Sequence, residues 1–224
     1  MSSKNTPLPL PTRSATTGYK KGDETRERIL GVALSAFGNS GFAAVTTRQI
    51  AEEAGINLPA LNYYFGNKEG LYLACAHEIL ARYREGMESV SQAAFASLQG
   101  PPDPSGARTQ LKLLLTTLAR FLLLSASTNN RLFVQRELAD PGPAFEVLYA
   151  GLWQPGIELV AQLIVAASGE RLTAAQGRVR AVLLIAGLTG FQSGAPVISR
   201  AMGEADSLAM VIEALEAQID ALAR

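Results

Sequence analysis

The residues of this 224-residue chain whose types and spacing could do chemistry lie between positions 46 and 68. Thr46, Thr47 and Arg48 stand together at the start of one helical stretch. Leu58, Pro59, Ala60, Asn62, Tyr63 and Tyr64 follow on a second, and Lys68 opens a third. Hydroxyls, an amide, a guanidinium and an ammonium in this pattern suit recognition of a polyanion better than bond-making. Arg48 can reach guanine O6/N7 or a phosphate, and Asn62 can contact a base edge. Thr46 and Thr47 place hydroxyls and helix N-terminal N–H groups where a phosphate could dock. Tyr63 and Tyr64 can hydrogen-bond phosphates or pack on sugar and the thymine methyl group, although helically spaced tyrosines also serve as packing. Lys68, beside another row of free N–H groups, reads as a phosphate anchor.

Catalysis has no comparable set. The chain has one cysteine, Cys75, and one histidine, His77. Two positions apart on a helix, they diverge by about 200° and make no metal pair. A Gly-rich phosphate loop, a G-x-S-x-G elbow and metal-ligand spacing are all missing from the sequence. The expectation is no catalytic residue, no metal and no cofactor, with Cys75 acting as a buried small hydrophobe.

The elements that must position these residues are helical throughout, so the expected fold class is all-α. Ile29, Leu30, Ala33, Leu34 and Phe37 give one apolar face to a first helix beginning near Asp23 and ended by Gly38 to Gly41. Thr46 and Gln49 have capping-box spacing, with Ile50, Ala51 and Ala54 inward and Gly55 as the left-handed stop. Asn57 caps a short helix carrying Pro59 in its first turn, with Leu58, Leu61 and Phe65 as its buried side. Two short helices joined by Ala54-Gly55-Ile56-Asn57 form a helix-turn-helix, the second presenting its outer face. A fourth helix runs from about Lys68 to Leu98, and Gly100–Gly106 is a loop. Later helices are predicted at about 107–127, 129–138, 143–168, 173–193 and 207–223.

Composition bounds the rest. Lys+Arg and Asp+Glu are 20 each, hydrophobic residues 48%, charged residues 18% and mean hydropathy +0.13. These values exclude a strongly basic polymer-coating protein and a disordered acidic chain, and allow a large core. Residues 1–73 carry eight basic and six acidic residues, so the slight positive offset lies on the N-terminal side. Residues 1–22 lack an apolar signal region and read as a flexible basic arm. The longest greasy stretch, Leu111 to Ala126, is broken by Lys112 and Arg120, so no membrane span is expected and a cytoplasmic location fits.

The run TTRQIAEEAGINLPALNYYFGNKEGLY, Thr46 to Tyr72, resembles the signature of the TetR family of transcriptional regulators. With the helix containing Phe37 and Gly41, the likeness covers about residues 24–73. LYLACAHEI and RELADPGPAFEVLY, with the following Pro155, are similar to the CecR (YbiH-like) subgroup. The resemblance implies a helix-turn-helix domain at 23–73 and a helical ligand-binding and dimerisation domain at 74–224. It places Thr46, Thr47, Arg48, Leu58, Pro59, Ala60, Asn62, Tyr63, Tyr64 and Lys68 on the DNA-contact surface. It further implies a homodimer on a palindromic double-stranded operator, a repressor released by a small-molecule ligand. The alternative is a helical interaction or ligand-binding protein without DNA function. Leu58 departs from the family's often polar residue there, and either packs inward or meets a thymine methyl.

For the ligand cavity the candidates are Phe121, Phe133, Arg136, Phe145, Tyr149 and Trp153, each also a plausible core residue. Ala186, Gly190 and Gly194 form a line of small residues that lets two helices approach, within the chain or between copies. Leu208, Val211, Leu215 and Ile219 form a one-sided stripe that needs a partner surface. The resemblance makes both sets the dimer interface.

Overall fold

Thr46 accepts from the Gln49 backbone N–H at 3.2 Å while Gln49 Oε1 accepts from the Thr46 N–H at 2.9 Å, so the expected capping box is formed. It starts α2 (Thr47–Glu53) in the computed structural model, which describes residues 15–125, 127–203 and 207–222. Asn57 caps α3 (Leu58–Phe65) through Ala60, and Asn67 caps α4 (Lys68–Ser97) through Gly70. Gly55, between α2 and α3, has φ +65, the region where a side chain is strained. Every assigned element among the described residues is helical.

The first helix, α1 (Ala15–Ala44), begins eight residues before Asp23, so the end of the expected arm is helical; no proline lies between Pro11 and Asp23 to stop it. Its helical path breaks at Gly41, φ 81. Residues 1–14, the rest of that arm, lie outside the described residues. α5 (Pro104–Arg120) starts inside the expected loop, because Asp103 caps it and Pro104 sits where no N–H is needed. It continues as a π-helical turn, Phe121–Ser125, before α6 (Thr128–Ala139). The helix expected at 143–168 is α7 (Phe145–Leu148), a π turn at Tyr149–Trp153, and α8 (Gln154–Ala167). After α9 (Ala174–Ser193) comes α10 (Ala195–Met202), which the expectation lacks; Pro196 lies in its first turn, where it is harmless. α11 (Ser207–Leu222) ends the described chain.

Phe145–Ala167 needs a correction. This 23-residue run, mean hydropathy 1.2, is long and apolar enough by length and composition to cross a membrane. Val160, Ala161, Leu163, Ile164 and Ala167 on it are nevertheless buried within the protein, and α8 packs on α5 and α9.

Two cores hold the molecule. One joins α1–α3 to the first turns of α4 and to Phe133 and Leu148, so apolar packing does not divide at residue 73. The other joins α5, α8, α9 and α11 to the later part of α4. Val211, Leu215 and Ile219 belong to this second core, where α11 packs on α5. Within the chain this stripe is therefore already covered, chiefly by α5.

α6 clamps onto α1. Gly38 lets them touch: a Cβ there would lie 3.1 Å from the Asn129 carbonyl oxygen and 3.2 Å from Leu132 Cβ. Arg136 donates from Nε to the Gly38 carbonyl at 2.7 Å and from Nη2 to that of Asn39, taking up carbonyls near the helix end. Beside it, the buried Glu137 accepts from the Tyr72 hydroxyl at 2.5 Å and from the Gly142 N–H at 3.1 Å. Burial and Glu137 push the Tyr72 phenol well above its ordinary range.

Cys75 is fully buried, and burial pushes its thiol up to about 12. The folded chain keeps the neutral thiol while the unfolded chain ionises from an ordinary value near 9.0. A raised folded value gives stability that is complete below about pH 9 and declines as pH climbs towards 12. Iodoacetamide should accordingly label Cys75 at pH 8 only after denaturant is added. Rapid labelling of the native protein, followed by mass spectrometry, would contradict this burial.

Candidate nucleic-acid interface and the adjoining cavity

The helix-turn-helix presents one polar, aromatic surface. Leu61 is fully buried in the first core and α3 packs on α2 and α4, while Arg26 of α1 lies over the Phe65 ring at 5.6 Å. The opposite side of α3 faces out: Pro59 and Asn62 are exposed and Tyr63 is 86% exposed. A tyrosine that leaves most of its ring in water gains little from folding, so it is free to meet an external partner. Thr46 and Arg48 are exposed and Thr47 half-buried at the start of α2. The structure thus brings Arg48, Asn62 and Tyr63 to one solvent-facing motif.

Other predicted contacts are more engaged. Tyr64 is half-buried and packs against the first core, its ring 5.5 Å from that of Tyr63 in an edge arrangement. Leu58 and Ala60 are half-buried. The Thr46 hydroxyl donates to Gln49 Oε1 at 2.8 Å, so the cap uses both its donor and its acceptor. Lys68 donates to the Ala43 carbonyl at 3.2 Å and lies 4.7 Å from the Phe42 ring centroid. An ammonium carries three protons, so it retains donors for a phosphate while bracing the end of α1.

A cavity of about 200 Å³ is bounded by α4, α5 and its π turn, α6, the second π turn, α8 and α9. Phe121 and Trp153 line it, as predicted. Phe133 does not: it is fully buried against the Tyr72 ring at 4.6 Å. Arg136 turns to α1, while Phe145 stacks on Tyr149 at 6.1 Å and packs near Trp153 outside the cavity wall. The lining residues that sequence reasoning missed include Tyr83, Arg131 and Gln192. Asn130, Arg131, Val134, Gln135 and Leu138 give α6 a cavity-facing stripe at helical spacing, a signal the sequence did carry. α6 therefore faces the cavity on one side and holds α1 and α4 on the other.

Of the small-residue line, Ala186 and Gly190 are exposed and Gly194 half-buried. A Cβ at Gly187 or Gly190 would meet nothing within 4 Å, so among the described residues no helix presses there. Val179 and Leu183, at 61% and 67% exposure, extend that apolar face of α9. On α11, Met210, Ala214, Ala217 and Ala221 are exposed and Leu208 is half-buried. Among the described residues, no group of three or more His, Cys, Asp and Glu could hold a metal ion.

Residues 29–75 match the family model described as bacterial regulatory proteins, tetR family. Residues 107–224 match that of the C-terminal domain of the HTH-type transcriptional dual regulator CecR. The chain is 32% identical over 150 residues to CecR of Shigella flexneri, covering 66% of this chain and 67% of that protein. Among solved structures it is similar to a putative transcriptional regulator from Pseudomonas aeruginosa, with TM-score 0.64, 17% identity and 90% and 91% of the two chains covered. It is also similar to SmeT, the repressor of a Stenotrophomonas maltophilia multidrug efflux pump, with TM-score 0.57, 18% identity and 88% of each chain covered. At these identities the two structures bear on the fold alone.

Proposed function

From the premise that the chain belongs to the TetR family of transcriptional regulators, with a CecR-type C-terminal domain, we propose that it is a cytoplasmic homodimer that represses transcription by occupying a pseudo-palindromic operator and is released by a small molecule. The observation that carries DNA contact is the outward face of α3, with Pro59, Asn62 and Tyr63 in solvent. Arg48, Thr47 and Lys68 flank it as phosphate or base contacts, and Tyr64 supports Tyr63 from behind. Leu58 and Ala60 serve packing first, with a thymine methyl as the contact open to them. The relatives are regulators, so the chain is assigned no catalytic role.

The dimer is assigned to the exposed faces of α9 and α11, with Ala186, Gly190, Gly194 and Leu208 kept from the sequence reading and Val179, Leu183 and Met210 added to it. Two copies related by a twofold axis present two recognition helices, which suit half-sites about 34–36 Å apart. The cavity is the effector site. α6 is both its wall and the clamp on α1, so a ligand that prefers one position of α6 shifts the population of DNA-competent heads by its differential affinity. SmeT has been solved in complex with triclosan, and CecR is described as a dual regulator; both facts belong to those proteins. They make a drug-sized effector and a second, activating role worth testing.

Selection from a random duplex library followed by a salt titration tests DNA contact. An enriched inverted repeat, bound far more tightly than random duplex and with an affinity that falls steeply with salt, is expected. Equal affinity for every duplex would contradict sequence-specific regulation.

A further inference from the structure

The walls of the cavity are apolar and aromatic, yet they carry two guanidinium groups, Arg82 and Arg131, and among the described lining residues no carboxylate and no lysine. The two arginines differ. Arg82 is more than half exposed and already pairs with Glu78 at 2.8 Å. Arg131 is half-buried on α6, its recorded contact is a neutral one, from Nη1 to the Gln192 carbonyl at 2.9 Å, and it appears in no ion pair found among the described residues. Gln192 is itself held, its amide donating to the Leu122 carbonyl in the π turn at 2.9 Å. The guanidinium is thus fixed between α6 and α9, with donors left over from its five. Removing a charge from water without an opposing charge is costly, and a planar guanidinium fork matches a carboxylate bidentately.

We infer that the cavity takes an amphipathic anion: an apolar alkyl or aromatic body against Phe121, Trp153 and Leu114, with one carboxylate-type head on Arg131. This rests on the reading of the cavity as the effector site and gives that site its ligand class. Cationic amphipaths are disfavoured by the same field, since among the described lining residues nothing acidic is there to receive them. The head would also bridge α6 to α9 through Arg131 and Gln192, so that the bound anion acts on the helix that clamps α1.

Trp153 is the chain's single tryptophan and lines the cavity, which makes its fluorescence a direct reporter. The test titrates the full chain with three probes of matched length: octanoate, 1-octanol and octylamine. Saturable octanoate binding at least tenfold tighter than 1-octanol is expected, with octylamine weaker than both. Arg131→Gln, checked for an unchanged melting temperature, should bring octanoate down to the affinity of 1-octanol and leave 1-octanol itself unaffected. Arg82→Gln should shift octanoate binding less than threefold. Saturable 1-octanol binding with no preference for octanoate, or retention of that preference in Arg131→Gln, overturns the anion assignment and leaves the effector cavity standing. Absence of saturation by any of the three overturns both, and neither outcome touches the operator selection.

Discussion

Tyr63→Ala is expected to weaken operator binding about ten- to a hundredfold per half-site while leaving the melting temperature and the dimer unchanged. The two halves of this expectation have separate causes. The ring is 86% exposed and touches mainly the neighbouring Tyr64, so its removal takes little from the core; surface changes of this kind stay within about 0.5 kcal/mol. A phenol hydroxyl donating to a phosphate, by contrast, makes a hydrogen bond to a charged group, worth about 1.5–3 kcal/mol. That range converts to roughly the stated loss in affinity. Electrophoretic mobility shift against the selected operator, paired with a thermal melt, reads both halves. Wild-type affinity combined with a lowered melting point would make Tyr63 a packing residue and remove the main support for α3 as the recognition helix. Lys68→Ala gives a useful contrast. Its ammonium braces the Ala43 carbonyl and the Phe42 ring, so it should lose stability as well as affinity. If it also holds a phosphate, the slope of log affinity against log salt should fall by about 1.

The helix-turn-helix was legible because its signals are local. A cap needs residues three apart, a left-handed stop needs one glycine, and Thr46, Gln49, Asn57 and Gly55 supply these within a dozen positions. The far half of the molecule was less so, for two reasons. A one-sided stripe such as Val211, Leu215 and Ile219 states that a helix must be covered but not by what; α5 and a second copy satisfy it equally. A proline likewise has opposite meanings in the first turn of a helix and in its middle, and Pro196 and Pro104 both take the first. The cavity shows the same ambiguity. Phe133 and Trp153 are both large and aromatic on helices, and which one faces a void depends on the relative rotation of α4, α6 and α8, a long-range result of packing. Only the α6 stripe from Asn130 to Leu138 repeats at a spacing that could have singled out one wall in advance.

The junction between the DNA-contacting helices and the cavity should be the most sensitive point for stability, and Glu137→Ala should expose it. The side chain is 1% exposed and has two partners, the Tyr72 hydroxyl and the Gly142 N–H. Gly142 fits because a Cβ there would lie 2.7 Å from Glu137 Oε1. Alanine strands both donors and opens a void beside Tyr72, whose ring packs edge-on against Phe37 at 4.8 Å. Each buried donor left without an acceptor costs about 1–3 kcal/mol, so the loss should be about 2–5 kcal/mol. For a chain of this length that lowers the melting temperature by roughly 5–15 °C. Glutamine should fall between: its carbonyl oxygen can still accept from Tyr72, but its amide then meets the Gly142 N–H donor to donor. Tyr72→Phe removes one of the two bonds and should cost about 1–3 kcal/mol. The Tyr72→Phe/Glu137→Ala double variant should then cost less than the sum of its parts, because the bond is lost only once. Strict additivity, or wild-type melting of Glu137→Ala, would show that this bond does not join α4 to α6. The same variants should weaken operator binding beyond their unfolded fraction. Tyr72 lies in the second turn of α4, directly after the segment that follows α3, and a loosened α4 leaves the outward face of α3 less firmly aimed at the groove.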